Sequence, residues 1–315
     1  MNLKAYLYIF LSISIISPKH LLNKKKNIIN LSFAINNKYT EKLLVPLVSL
    51  FDNCYENSIY YIHILVGEDF EPKNEKKLYN LEKIYFNCFI NIINLGKNFN
   101  NTYRASYMDA SAYYRLTLPK LCPNITRIIY LDSDLIILRD LMELYSLNFN
   151  GNYLLGKLDM FPNELDKFKI YIKNYINAGV LLMDLYSLRK YKYVDKFLNY
   201  IREHNEQKYL NSFDQTLLNY ICHDKIGILN PEFHMWPIDN SLEYKKVHQN
   251  LRIPYHIIDI MNSVNNPFIV HFPGIFKYKD NKKDRLFYKD YYKYLKISEN
   301  LAKYLDNNSS NCSLN

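Results

Sequence analysis

The chain has 315 residues, 49% of them hydrophobic, enough to bury one large core or two small ones and too apolar for an intrinsically disordered protein. Its net charge of +9 sits at the ends: residues 1–30 hold five Lys and no acid, residues 271–315 hold nine Lys or Arg against five Asp or Glu, and the middle is neutral. A neutral body argues against a nucleic-acid groove across the fold, and basic ends suit contact with anionic lipid, although a bias toward Lys, Asn, Ile and Tyr is also what AT-rich coding produces.

From Leu3 to Ile16 runs an apolar stretch broken by Lys4 and two serines, then Pro18, Lys19, His20 and Lys24-Lys25-Lys26. It is too short to span a bilayer comfortably and reads as an N-terminal extension or short membrane-associated segment over residues 1–26. Ile28 to Ile35 reads as a buried strand. Thr40-Glu41 opens a helix whose Leu43, Leu44, Leu47, Val48, Leu50 and Phe51 keep helical spacing. Ile59–Val66 is a second strand, Glu71-Pro72 starts a second helix, and Phe89–Leu95 is a third strand. Strands alternating with helices predict an α/β fold with a mainly parallel sheet covered on both faces.

Asp109 to Leu118 is read as a helix carrying Arg115, and the next strand is Arg127-Ile-Ile-Tyr-Leu-Asp-Ser-Asp-Leu-Ile-Ile-Leu138. An isolated Asp-x-Asp also marks an ordinary turn. Here Asp132 and Asp134 interrupt an apolar run; two residues apart on an extended chain, they face one point. Two anions sharing a site repel unless a hard cation sits between them, and a metal held by few carboxylates completes its shell with water and phosphate oxygens. The implied ligand is a diphosphate at the carboxyl end of a sheet.

The second half is more mixed, with apolar runs at Tyr153–Leu158, Gly179–Leu185 and Phe268–Phe272 and helices near Val194–His204 and Asp214–Cys222. His271 stands where a strand meets a loop; it is either a third metal ligand or an imidazole satisfied by a backbone carbonyl. Gly274 would let backbone approach a phosphate, and Lys277 supplies a cation for it. Asn177-Ala178-Gly179 starts a strand with small residues, either tight packing or a wall for a sugar ring. Asp214-Gln215 opens a helix, where Asp is also a natural N-cap. Asp159 is a pocket carboxylate or a turn acid, and Tyr39 a packed aromatic or a ring that stacks on a base. Five scattered cysteines form no C-x-x-C pair and point to a reducing, cytoplasmic compartment. From Lys282 to Leu305 tyrosines interleave with Lys289, Lys293 and Lys296, which share one face of a helix; such a helix lies on an anionic membrane or packs on the body.

Taken in order, Phe33-Ala34 with Tyr39, Tyr114-Arg115, Tyr130-Leu131-Asp132-Ser133-Asp134, Asn177-Ala178-Gly179-Val180, Asp214-Gln215 and His271-x-x-Gly274-x-x-Lys277 resemble glycosyltransferase family 8, the retaining enzymes that include bacterial lipopolysaccharide galactosyl- and glucosyltransferases. The resemblance covers about Asn27 to Lys279. It implies a GT-A fold, a Rossmann-like sheet with flanking helices, over a catalytic domain of residues 27–280, followed by a basic aromatic helical tail over 281–315. It also implies Mn²⁺ (or Mg²⁺) held by Asp132, Asp134 and His271 and a UDP-hexose donor, galactose or glucose. Donor contacts would come from Ala34, Asn36, Tyr39, Arg115, Asp132, Ser133, Asn177, Ala178, Gly274 and Lys277. Gln215, Asp214 and Asp159 would be the catalytic group, and the acceptor a saccharide or glycolipid of lipopolysaccharide type, reached from the cytoplasmic side with peripheral membrane contact through the basic ends.

Two departures stand out: Asn36-Asn37 where the family often has acids, and Lys277-Tyr278-Lys279 where it commonly continues Lys-Pro-Trp. Retention usually suggests a carboxylate nucleophile, but the matching residue is Gln215, so a front-face mechanism is expected, with the leaving phosphate deprotonating the acceptor and Gln215 stabilising positive charge. The rival readings are a nucleotidyltransferase, which would usually carry a Gly-rich phosphate loop absent here, and a non-catalytic sugar-nucleotide binder.

Overall fold

The computed structural model describes residues 25–102, 109–159, 172, 174–204, 213–237, 255, 262–274 and 286–310. In chain order the main elements are β1 (Asn27–Ala34), α1 (Thr40–Asn53), β2 (Ser58–Val66), α2 (Pro72–Tyr79), β3 (Cys88–Asn94), β4 (Arg127–Leu131), β5 (Leu135–Ile137), β6 (Leu154–Leu158), β7 (Ile176–Asp184), α3 (Leu185–Lys190), α4 (Tyr193–His204), α5 (Phe213–Cys222), β8 (Ile226–Ile228), β9 (Ile269–His271) and α6 (Tyr288–Ser310).

Seven strands form one sheet in the order β3-β2-β1-β4-β7-β6-β8, and β5 pairs with β9 in a separate ribbon. The expected βα alternation holds: β1 is parallel to β2 and to β4, and β2 to β3. β7 runs antiparallel to both β4 and β6, which makes the sheet mixed in its second half. Apolar side chains on both strand faces explain the burial. Ile29, Leu31 and Phe33 of β1 pack with Leu43, Leu44, Leu47 and Leu50 of α1 on one side, while Ile128, Tyr130 and Leu181 pack with Tyr113, Tyr114 and Leu116 on the other. Each such residue, at or near full burial, contributes on the order of 1.5–3 kcal/mol.

Two elements depart from the sequence reading. Ala110–Thr117 winds as a 3₁₀ helix, with Asp109 accepting from Ser111 N at 2.9 Å. Its three-residue turn aligns Ala110, Tyr113 and Leu116, all buried, which a 3.6-residue turn would splay. The tail helix α6 forms as expected, but it buries Tyr291, Tyr294, Ser298, Ala302 and Leu305 at three- and four-residue spacing. Lys293 turns to Asp52 of α1 (2.8 Å), and the Tyr294 hydroxyl joins Asp52 and Asn53, so Lys289, Lys293 and Lys296 do not present one free face. No helix among the described residues is long and apolar enough to cross a membrane. Cys54, Cys88, Cys122 and Cys222 are free thiols.

Candidate active site

The paired aspartates converge for a reason the strand period did not supply. Strand β4 ends at Leu131, and Asp132, Ser133 and Asp134 form the bend that leads into β5. Backbone hydrogen bonds hold both ends of the bend: Asp132 N donates to Gly179 O of β7, and Phe272 N donates to Asp134 O, each at 2.8 Å. The β5–β9 register sets His271 opposite Leu135, beside Asp134. One ligand atom from each of Asp132, Asp134 and His271 lies within 4.8 Å of the others. His271 Nε2 is 3.0 Å from Asp134 Oδ1 and 3.9 Å from Asp132 Oδ2. Two hard oxygens and an imidazole nitrogen suit a small divalent cation such as Mn²⁺ or Mg²⁺. Gly179 makes the convergence possible, because a Cβ there would stand 2.8 Å from His271 Nδ1 and 2.9 Å from Asp132 Oδ2.

Arg115 is held by several protein partners. Its NH2 meets Asp132 Oδ1 at 3.0 Å, its Nε faces Asp214 Oδ2 and the Ala112 carbonyl, both at 3.1 Å, and its NH1 donates to the Ala178 carbonyl. The guanidinium also lies over the Tyr130 ring at 4.2 Å, and the Tyr130 hydroxyl donates to Asp132 Oδ1 at 3.2 Å. Burial works against the charge on Arg115, but Asp132, Tyr130 and Asp214 more than offset it and hold its pKa above the ordinary arginine range. Burial raises the pKa of Asp214, opposed by Arg115.

A third group centres on Asp159. Its Oδ2 accepts from Asn177 Nδ2 and Gln215 Nε2, both at 2.9 Å. Gln215 in turn accepts from Ala178 N at 2.9 Å, and Asn177 Oδ1 accepts from Gly179 N at the same distance. The amide of Gln215 is therefore pinned at both ends, with one carbonyl lone pair left over. The expected catalytic residues Asp159, Asp214 and Gln215 thus join the metal-ligand group through Ala178, Gly179 and Arg115.

The remaining expected donor residues are less alike. Half-buried Ala34 ends β1 and pairs with Leu65. Asn36 Oδ1 caps the following 3₁₀ turn by accepting from Lys38 N at 3.0 Å, and Tyr39 lies under Lys42 Nζ at 4.2 Å. Asn37 is used structurally: it accepts from Glu71 N and Asn74 Nδ2 and donates to the Asp69 carbonyl. Ser133 sits half-buried between the aspartates. Gly274 has φ +49° with open space where a Cβ would stand, so its left-handed backbone is the reason for glycine. Lys277 lies outside the described residues.

Sequence reasoning missed three residues beside this group. His234 is fully buried and its Nε2 is 2.9 Å from His271 Nδ1. Burial, the His271 ring and Lys157 push the pKa of His234 well below the usual histidine value, so it is neutral. Trp236 packs edge-on to His234 at 5.5 Å between ring centroids. Lys157 of β6, 8% exposed, sets its Nζ 4.0 Å above the Trp236 ring. Desolvation, opposed by the charge of Asp159, brings Lys157 from 10.5 to about 7. That drop corresponds to roughly 5 kcal/mol against the charged form, and a desolvated cation–π contact returns only about 2 kcal/mol.

The fold is an α/β sheet with an acidic bend at a strand end, and comparison with known proteins makes its class specific. The sequence matches glycosyl transferase family 8 over residues 30–278, and the chain belongs to that family. General stress protein A of Bacillus subtilis is 26% identical over 259 residues, 80% of this chain and 87% of its own length. Lipopolysaccharide 1,2-glucosyltransferase of Escherichia coli is 23% identical over 206 residues, 62% of this chain and 60% of its own. Among solved structures, the galactosyltransferase LgtC in complex with donor and acceptor sugar analogues superposes with a TM-score of 0.71 at 20% identity, covering 85% of this chain and 96% of LgtC. The fold is GT-A, as expected, and the protein is a glycosyltransferase, which removes the nucleotidyltransferase alternative.

Proposed function

We propose that this glycosyltransferase moves a hexose, galactose or glucose, from a UDP-sugar to a saccharide or lipopolysaccharide-type acceptor with retention, and that Asp132, Asp134 and His271 hold the divalent metal it uses. The observation that carries the reading is the convergence of those three side chains from a β4–β5 bend and a strand 137 residues downstream. When bound, Mn²⁺ or Mg²⁺ would act as a Lewis acid on the departing diphosphate.

The chain's own residues do the rest. Arg115 fixes Asp132 and Asp214 by charge-assisted hydrogen bonds, which orients one ligand carboxylate. His234 holds the Nδ1 edge of His271; as a neutral imidazole it can accept from Nδ1–H, which leaves Nε2 with a lone pair for a metal. Gln215 offers its free carbonyl lone pair to positive charge developing on the transferred sugar, in a front-face displacement where the leaving phosphate takes the acceptor proton. Ala34, Asn36, Tyr39, Ser133, Gly274 and Lys277 would line the nucleotide and diphosphate, and Asn177, Ala178 and Asp159 the sugar. Residues 27–280 would form the catalytic domain, with 1–26 an extension and 281–315 a tail.

The test is UDP release from UDP-galactose and UDP-glucose. We expect release with Mn²⁺, its loss with a chelator, and a drop of about a hundredfold or more in Asp134→Ala; release indifferent to chelator would overturn the metal role. A cytoplasmic enzyme touching the inner membrane face through its basic ends is the accompanying proposal, supported by the exposed Lys289, Tyr292, Lys296 and Lys303 on α6. Removal of residues after Lys279 should weaken sedimentation with anionic vesicles, and unchanged sedimentation would exclude the tail.

A further inference from the structure

Lys157 and Trp236 present donors that the described residues leave without acceptors. Lys157, 8% exposed, makes no hydrogen bond or ion pair with the described residues, and the indole Nε1 of Trp236 is buried without a partner among them. Buried donors are ordinarily paired, and an unpaired buried ammonium is the costliest kind. The two sit between the groups already described: Trp236 is two residues from His234, which touches His271, and the charge of Asp159 acts on Lys157. An ammonium and an N–H beside one another, with no carboxylate of the described residues bonded to either, match the oxygens of an external anion.

We propose that Lys157 and Trp236 form a subsite for an anionic group, a carboxylate or a phosphate, borne by the acceptor saccharide. The proposal rests on the glycosyltransferase reading of the same site, since Lys157 is two residues before Asp159 on the chain and feels its charge. A neutral hydroxyl could pair with the indole, but only an anion restores the stability of a charged ammonium in that position.

Because Trp236 is the single tryptophan of the chain, its emission reports occupancy directly. The full chain, with UDP and Mn²⁺, is titrated with galacturonate, a galactose phosphate, a neutral methyl galactoside and inorganic phosphate. We expect a saturable change in emission with at least one acidic sugar, at an affinity about tenfold or more above that of the neutral galactoside, and a loss of that ratio in Lys157→Met. Equal affinities for acidic and neutral sugars, no saturable binding by any probe, or an unchanged ratio in the variant would overturn the subsite. Inorganic phosphate binding as tightly as the acidic sugars would overturn its assignment to an acceptor saccharide. The wild-type comparison needs no variant, and a melting midpoint shows that Lys157→Met is folded. UDP release measured in parallel separates the two readings: metal-dependent release without acidic preference removes only the subsite, whereas no release from either UDP-hexose removes the transferase reading and the subsite with it.

Discussion

Arg115 and Lys157 are two buried cations beside the same group of site residues, and their surroundings are opposite. Arg115 has two carboxylates, two carbonyls and an aromatic face, and its charge is more secure than in water. Lys157 has one aromatic face and no acceptor among the described residues, and its charge is marginal near neutral pH. The difference separates a cation that holds the site's shape from one kept open for something outside the protein. A buried charge is worth keeping only if paired, so an unpaired one marks a place where a partner arrives later.

The widest way to break the comparison is to remove each cation at constant volume. Arg115→Met strands Asp132 and Asp214 and is expected to destabilise the fold by about 3–5 kcal/mol, whereas Lys157→Met removes an unpaired charge and leaves stability equal or higher. Denaturant unfolding of both variants checks this. Equal losses would mean that Lys157 is as structurally committed as Arg115.

His234, which touches His271 and feels the charge of Lys157, sharpens the contrast. It can meet His271 with either nitrogen protonated, so it serves His271 whether Nε2 donates to Asp134 or presents a lone pair. His234→Phe keeps an aromatic ring and loses that partner, and Mn²⁺ affinity should fall about 10- to 100-fold; His234→Gln, which keeps a donor and an acceptor at the side-chain tip, should restore part of it. Calorimetric titration with Mn²⁺ reads the effect independently of activity. Equal affinity in the Phe variant would deny His234 any role in positioning His271.

Much of this architecture was legible in the sequence because its signals are local. The strands β1 to β3 and helix α1 follow from apolar runs punctuated by turn residues, and Asp132 and Asp134 announce themselves as polar intrusions in a core strand. The bend that joins them was not legible, nor was the clamping of Arg115, since both depend on β7 backbone that approaches from 47 residues further along for Asp132 and 63 for Arg115. His234 was hidden more completely. It reaches His271 only because Met235 bridges Val270 and exchanges backbone hydrogen bonds with Ile269 and His271, a long-range pairing without periodic signature. Lys157 is a polar residue within the apolar run Tyr153–Leu158, and only burial shows it to be unusual.

The smallest expected effect is a pH dependence, and its sign follows from Lys157 alone. Unfolded, the ammonium titrates near 10.5; folded, near about 7. Between those values the unfolded chain binds more protons, so stability rises with pH through the window and is lowest below about pH 7, where both states are charged. The slope should grow from about pH 7 and approach about 1.4 kcal/mol per pH unit above about pH 8. Cys54, pushed up to about 11 by burial, bends the curve the other way only as unfolded thiols ionise toward pH 9, because its folded form then holds the extra proton. The clean quantity is therefore the difference between wild type and Lys157→Met in urea unfolding across about pH 7 to 8.5, where a flat difference would mean that Lys157 is already satisfied in the folded chain.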